Sequence, residues 1–212
     1  SSTSNNEKQR IEMKIYDDKI LKHLPHPRIL PWEEEGISRE VMEDRGICYD
    51  PAAHGIVIPH YDDKGNLIGI RERTLIKEEE QYGKYKPAIL NGQMYNHPLG
   101  FVLYNLNKSK EAITAIQKAI VFESEKSCLK YASYFGMEND ISVAVCGSSL
   151  ITHQVELLLS LGVKEIVIAF DRQYQKLNDE EHKRWCKKLT DINKKYSPLV
   201  QISFMFDKTG LL

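Results

Sequence analysis

The chain has 212 residues, 42% of them apolar and 28% charged, with a formal net charge of −1. That length suffices for one large domain or two small ones with a substantial core. The charge balance excludes a uniformly basic nucleic-acid coat while leaving room for a local basic groove.

Cys48, Cys128, Cys146 and Cys186 form no CxxC pair, so neither a zinc ribbon nor a disulfide framework is expected, and no zinc is assigned to the chain. Cys128 and Cys146 lie in apolar stretches and read as small buried hydrophobes. No run nears the ~18 apolar residues of a membrane-crossing helix and no signal peptide is recognised, so a cytoplasmic protein without a membrane partner is expected.

The polar start "SSTSNNEKQR" is expected to fray. From about Ile20 to Tyr49 the pattern predicts short helices interrupted by the prolines of "LPHPRILPW". Within it, "GISREVMEDRGI" offers Ser38 as an N-cap and Gly46 as a stop. "HGIVIPHYDDKGNLIGIRERTL" follows, two strands about a "DDKGN" turn, which is a β-hairpin with Arg71 and Arg73 on one face of its second strand. His54 and His60 flank the first strand and are expected at the surface. "KEEEQYGKYKPAILNGQ" reads as a loop.

The rhythm then changes. "KEAITAIQKA" predicts a helix, "AIVFES" a strand, and "EKSCLKYASYFG" a helix ending at Gly136. "ISVAVCG" is the next strand, and "SSLITHQVELLLSLG" a helix capped by Ser148 or Ser149. "EIVIAFD", the long helix "NDEEHKRWCKKLTDINKKY" and the strand "LVQISFMFD" complete the series. Near-continuous apolar strands each followed by a helix predict a four-stranded parallel sheet covered on both faces. Tyr131 and Tyr134, at helical spacing, are expected to pack at the core or its flank.

Ligands of such a sheet gather beyond the carboxyl ends of its strands. Glu123 ends the first strand, Asp171 the third and Asp207 the fourth, while Gly147 ends the second and leads toward a helix whose free N–H groups can face an anion. Crowded carboxylates repel unless a cation lies between them, and Mg²⁺ suits a few carboxylates with water and phosphates. Acidic residues at strand ends are more often helix caps than ligands, and Glu125 and Lys126 have a plain reading as first-turn solvent residues. Periodicity alone leaves the two readings about even.

The stretches "VFESEKSCLKYASYFG", "VAVCGSSLITHQVELL" and "EIVIAFDRQ" resemble the Toprim domain of primases, type IA and II topoisomerases and certain nucleases. "GISREVMEDRGICYDP", "IVIPHYDDKGNLIGIRERTL", "KYKPA" and "HPLGFVLYNL" resemble, in order, the segments before Toprim in the catalytic core of DnaG-type primases. Together they span roughly residues 30–212. The implied architecture is α/β: a smaller α+β subdomain over residues 1–110 and a Toprim domain over 111–212.

What the resemblance implies follows residue by residue. Glu123 is a metal ligand or general acid/base, and Asp171 a Mg²⁺ (or Mn²⁺) ligand, the two being the catalytic pair. Gln173 stands where the family has a second aspartate, and Asp207 completes the expected metal set. Arg71, Arg73, Lys84 and Lys86, with Lys126 and Gly147, form the set expected to bind nucleic acid or nucleotide. Ser124 replaces a family glycine and Ser127 a family acid. The implied activity is template-directed synthesis of RNA primers on single-stranded DNA from ribonucleoside triphosphates, with a replicative helicase as partner and a phage or prophage setting. The rivals are a degenerate Toprim module that binds without catalysis, and a Toprim nuclease.

Overall fold

A computed structural model of the chain describes residues 12–172 and 176–206. Gln173 and Asp207 therefore lie outside the described residues. The N-terminal part carries three short helices, α1 (Lys19–Lys22), α2 (Leu30–Glu34) and α3 (Arg39–Asp44). Pro31 sits in the first turn of α2, where a missing N–H costs nothing. Ser38 caps α3 as expected, its side chain accepting from the Val41 N–H at 3.1 Å. The Ser38 N–H in turn donates to Ser133 Oγ, tying this helix to the second half of the chain.

Four antiparallel strands follow, β1 (Cys48–Asp50), β2 (Gly55–Tyr61), β3 (Leu67–Thr74) and β4 (Tyr85–Pro87), in that spatial order. The β2–β3 hairpin turns as expected, because Asp62 accepts from the N–H groups of Lys64 and Asn66 in an Asx-type turn. The stretch expected as a loop instead contains β4 and a two-stranded ladder, β5 (Ile89–Leu90) with β6 (Gln93–Met94). The reason is packing: Tyr85 pairs with Arg73, and Ala88, Leu90 and Tyr95 are buried in a small core with Val57, Leu67 and Ile70. Alternation puts Ile56, Ile58 and His60 on the other face of β2, and the two isoleucines there join the main core.

The helix α4 (Leu106–Ile116) leads into the second half. It straddles the expected division at residue 110, and the main core runs from Ile29 and Trp32 through to Val200 without a break. The parallel strands are β7 (Lys118–Phe122), β8 (Ser142–Ala144), β9 (Glu165–Ile168) and β10 (Gln201–Phe204), in the order β10-β9-β7-β8. Their connecting helices are α5 (Glu125–Phe135), α6 (Thr152–Ser160) and α7 (Glu180–Tyr196). The four-stranded parallel sheet and its helices are those expected. α5 ends at Gly136, whose φ of +94° suits glycine. Tyr131 packs against the core, whereas Tyr134 is 83% exposed.

One helix start needs correction. Neither Ser148 nor Ser149 caps α6; the helix begins at Thr152, and Gln154 Oε1 accepts the Ile151 N–H at 3.1 Å. Leu150 is buried, and drawing it into the core keeps the bend at residues 147–149 and the two residues after it out of the helix, which starts at Thr152.

A buried polar network joins the two halves. Arg45 donates to Asp140 Oδ2 and to Asn105 Oδ1, both at 2.9 Å, and Asn105 donates to the same Asp140 oxygen at 2.7 Å. Ser142 donates to Asp140 through both its N–H and its hydroxyl. Every acceptor position of Asp140 is thus used, which is the condition under which a buried carboxylate is tolerated. Asp140→Asn leaves the buried Arg45 guanidinium with only the partly exposed Asp44 as counter-charge and is expected to lower stability by about 3 kcal/mol; the midpoint of urea unfolding at unchanged m-value measures it.

Candidate functional site

In the order β10-β9-β7-β8, strand β7 hands on through α5 to β8 on one side, while β9 hands on through α7 to β10 on the other. Right-handed crossovers send those helices to opposite faces, and the space between them opens at the carboxyl ends of β7 and β9. Glu123 follows β7 directly. Asp171 follows the buried Ala169–Phe170 extension of β9. The ladder is fixed on both flanks of β7: the Ala169 N–H donates to the Val121 carbonyl at 2.9 Å, and the Cys146 N–H to the Glu123 carbonyl at 2.8 Å. Val121 pairs with Ile168, so the same register sets Glu123 beside Phe170, one residue short of Asp171, on strands ~4.8 Å apart. The Asp171 loop is held by α7, whose Trp185 Nε1–H donates to the Asp171 carbonyl at 3.0 Å. Two hard carboxylates on neighbouring strand ends, Glu123 half-buried and Asp171 exposed, are a donor set that fits Mg²⁺ or Mn²⁺.

Two residues from Glu123, a second carboxylate is buried completely. Glu125 opens α5 with no exposed surface. His60 Nε2 lies 3.2 Å from its Oε2, Arg71 Nε lies 3.4 Å from the same oxygen, and the Cys146 thiol donates to Oε1 at 3.1 Å. Arg71 also donates to the Cys146 carbonyl at 2.8 Å. Burial alone would raise the Glu125 pKa, but His60, Arg71 and the Cys146 thiol outweigh it and hold the carboxyl down to about 2. His60 itself is sandwiched between the rings of His97 and Tyr104, each with its centroid 4.7 Å away. His60, Glu125 and Cys146 offer three donor atoms within 4.8 Å of one another, and Arg71 already supplies the positive charge that a cation would bring.

This cluster overturns two expectations. His60 is not a surface residue and Glu125 is not a solvent residue; His60 is 2% exposed and Glu125 wholly buried. The signal for both was periodicity. His60 continues the inward series Ile56, Ile58 along β2, and Glu125 shares a helical stripe with the buried Cys128, Leu129 and Ala132.

The basic residues divide. Arg71 and Arg73 do share a face of β3, opposite Ile58 and Ile56, and that face is turned inward. Arg71 is 8% exposed and committed to Glu125 and Cys146. Arg73 pairs with Glu80 at 3.3 Å, and both guanidinium groups lie over the Tyr85 ring, at 5.5 and 5.6 Å. Lys84 is exposed, and Lys86 lies 3.6 Å from Glu79. Lys126 bonds Glu35 at 3.1 Å, a carboxylate it shares with Lys130. Gly147 is exposed after β8, but α6 begins five residues later, so this glycine does not open directly into a helix as expected.

His97 packs against Gly69, where an added methyl would come within 2.0 Å of His97 Nδ1. Burial, aided by His60 and Arg71, pushes His97 down to about 3. Unfolded histidine titrates near 6.5, so between about pH 6.5 and 3 the unfolded chain binds the extra proton, and stability falls as pH falls through that window. Burial lowers His60 too. Glu125, held down to about 2, gives up its own contribution progressively as pH falls from the ordinary carboxylate range near 4.5 toward about 2. Urea midpoints are therefore expected to start falling near pH 6.5, above the carboxylate range, and His97→Gln to reduce that slope.

No family model matches the chain. The SPbeta prophage-derived uncharacterized protein YorJ of Bacillus subtilis (strain 168) is 37% identical over 216 residues, covering 97% of this chain and 57% of that protein. The DNA primase of Synechococcus elongatus is 26% identical over 149 residues, 66% of this chain and 20% of that protein. The chain thus spans little more than half of the first relative and a fifth of the second. Among solved structures, the Aquifex aeolicus primase (zinc binding and RNA polymerase domains) superposes with a TM-score of 0.70 at 18% identity, covering 91% of this chain and 54% of that one. The DnaG primase catalytic domain bound to ssDNA gives a TM-score of 0.61 at 19% identity, covering 91% and 70%. The antiparallel sheet, the β10-β9-β7-β8 parallel sheet and these superpositions agree: the chain has the Toprim-containing fold of the DnaG-type primase catalytic core.

Proposed function

We propose that the chain is the polymerising core of a primase, joining ribonucleotides on a single-stranded DNA template. The observation that carries this reading is the placement of Glu123 and Asp171 on adjacent strand ends at the switch point of the parallel sheet. The primase fold, and structural neighbours that are primase domains, one of them bound to single-stranded DNA, support the substrate class. Glu123 and Asp171 would hold Mg²⁺ or Mn²⁺ there, and the ion, when bound, would supply charge neutralisation for the phosphoryl oxygens and lower the pKa of the attacking 3′-hydroxyl.

The chain's own groups do the positioning. Glu123 accepts or relays the hydroxyl proton. Asp171 is fixed through its backbone by Trp185. Lys84 presents positive charge toward template or triphosphate, with Arg73, Lys86 and Lys126 in reserve behind their carboxylate partners, and Gly147 leaves the rim clear of a side chain. Arg71 acts one step back, holding Glu125 and the Cys146 carbonyl so that the chain enters α5 at a fixed angle. In the cytoplasm of the host cell a replicative helicase would be the partner.

A second reading has its own observation. Gln173 in place of an aspartate and Ser127 in place of an acid reduce the negative charge available to hold a cation, which favours a module that binds single strands without catalysis.

Primer synthesis by the 212-residue chain on single-stranded template with ribonucleotides and Mg²⁺ or Mn²⁺ tests the first reading. Glu123→Gln and Asp171→Asn are each expected to lower the rate by at least about 100-fold. Equal product from both variants and the unaltered chain would overturn it. Retained single-strand binding with no heat of Mg²⁺ binding at millimolar metal would establish the second reading, and metal-dependent nicking without primers would assign a nuclease.

A further inference from the structure

Away from the strand-end carboxylates, α7 carries cations that no part of the proposed chemistry uses. Its apolar stripe is Trp185, Leu189, Ile192 and Tyr196, all buried. Beside that stripe, Arg184, Lys187, Lys188 and Lys195 line a groove of about 450 Å³ whose other wall is the 149–151 segment. Among the described residues lining it, Asp191 is the one carboxylate, and it lies 2.7 Å from Lys187. The walls are fixed to each other, since Tyr196 OH is 3.3 Å from Thr152 Oγ1 and donates to the Leu150 carbonyl at 3.5 Å. One end of the groove abuts the candidate metal site: Lys188 lies over the Phe170 ring at 5.8 Å, and Trp185, next to Arg184, holds the Asp171 carbonyl.

We propose that this groove binds the phosphodiester backbone of a single nucleic-acid strand and leads it past Asp171. The proposal rests on the nucleic-acid reading above and adds to it a binding site outside the inward-facing arginines of the antiparallel sheet. The form of the charge decides the occupant. A triphosphate needs donors converging on one point, whereas these cations are strung along a helix. From Arg184 to Lys195 the rise is about 16 Å, room for roughly five phosphates at the ~3.4 Å per-strand spacing of duplex DNA. Flexible lysine and arginine heads in an open groove recognise a repeating anion without reading its bases.

The test uses a fluorescent oligodeoxynucleotide, with affinity measured across a salt series. Arg184→Gln/Lys195→Gln removes two groove cations. Lys183→Gln/Lys194→Gln removes two that do not line the groove, for the same change in net charge. The groove variant is expected to flatten the slope of log K against log salt by about 1.4, equivalent to about 25-fold weaker binding at 0.1 M salt for equal affinities at 1 M, while the control pair leaves the slope unchanged. Equal slopes for the two variants, with the unaltered chain binding well, would overturn the groove and leave the proposed function standing. An unaltered chain that binds no oligonucleotide removes the nucleic-acid reading itself. A groove variant that loses affinity for free ribonucleoside triphosphate but not for the oligonucleotide overturns the polynucleotide occupant. All four positions are exposed and outside the core, and unfolding midpoints matching the unaltered chain establish that the variants fold.

Discussion

The arrangement hinges on one carboxylate removed entirely from water. Glu125 begins α5, and its negative charge exists there because His60 and Arg71 come from the antiparallel sheet and Cys146 from the end of β8. An isolated carboxylate at that depth would protonate or force the chain apart. The cluster is therefore both a seam between two sheets and a constraint on where α5 can start. Glu123, two residues upstream, inherits that constraint: its backbone is pinned by β8 on one side and its helix by Glu125 on the other. Stability within the seam and geometry at the strand ends are two results of the same contacts.

The parallel sheet supplies the rest of the geometry. Because β7 and β9 are neighbours whose chains depart in opposite directions, through α5 and α7, their carboxyl ends face a common crevice. Trp185 then does for Asp171 what the Glu125 cluster does for Glu123, here through a single directed bond to the Asp171 backbone. The halves of the candidate site are thus positioned by different helices on opposite faces, α5 and α7. Relative motion of those helices changes the separation of the carboxylates more directly than any change within the strands.

Much of this was legible in the chain. Apolar strand runs ending in Glu123 and Asp171, each followed by a helical period, carry the α/β architecture and the rim in plain sight. Ser38 and the "DDKGN" turn disclosed themselves through capping and Asx chemistry. The misreadings share one cause, which is charge given precedence over period. His60 and Glu125 were placed in water because they ionise, although each sits in register with buried neighbours. Tyr85 was placed in a loop because its surroundings are polar, although one aromatic ring between two arginines and a core suffices to nucleate a strand. The late start of α6 has another origin: Leu150 is claimed by the core, and tertiary burial outweighs the local preference of two serines for a cap.

The network of Arg45, Asn105 and Asp140, like the Glu125 cluster, has members on both sides of the fold. Apolar contacts forgive a shifted or substituted neighbour, but matched charges sealed from solvent do not. In lineages where genomes recombine freely, a crossover between the two halves would bring together donors and acceptors that never evolved as partners. Such hybrids would lose folding stability to the mismatch, because both sealed networks draw members from each half.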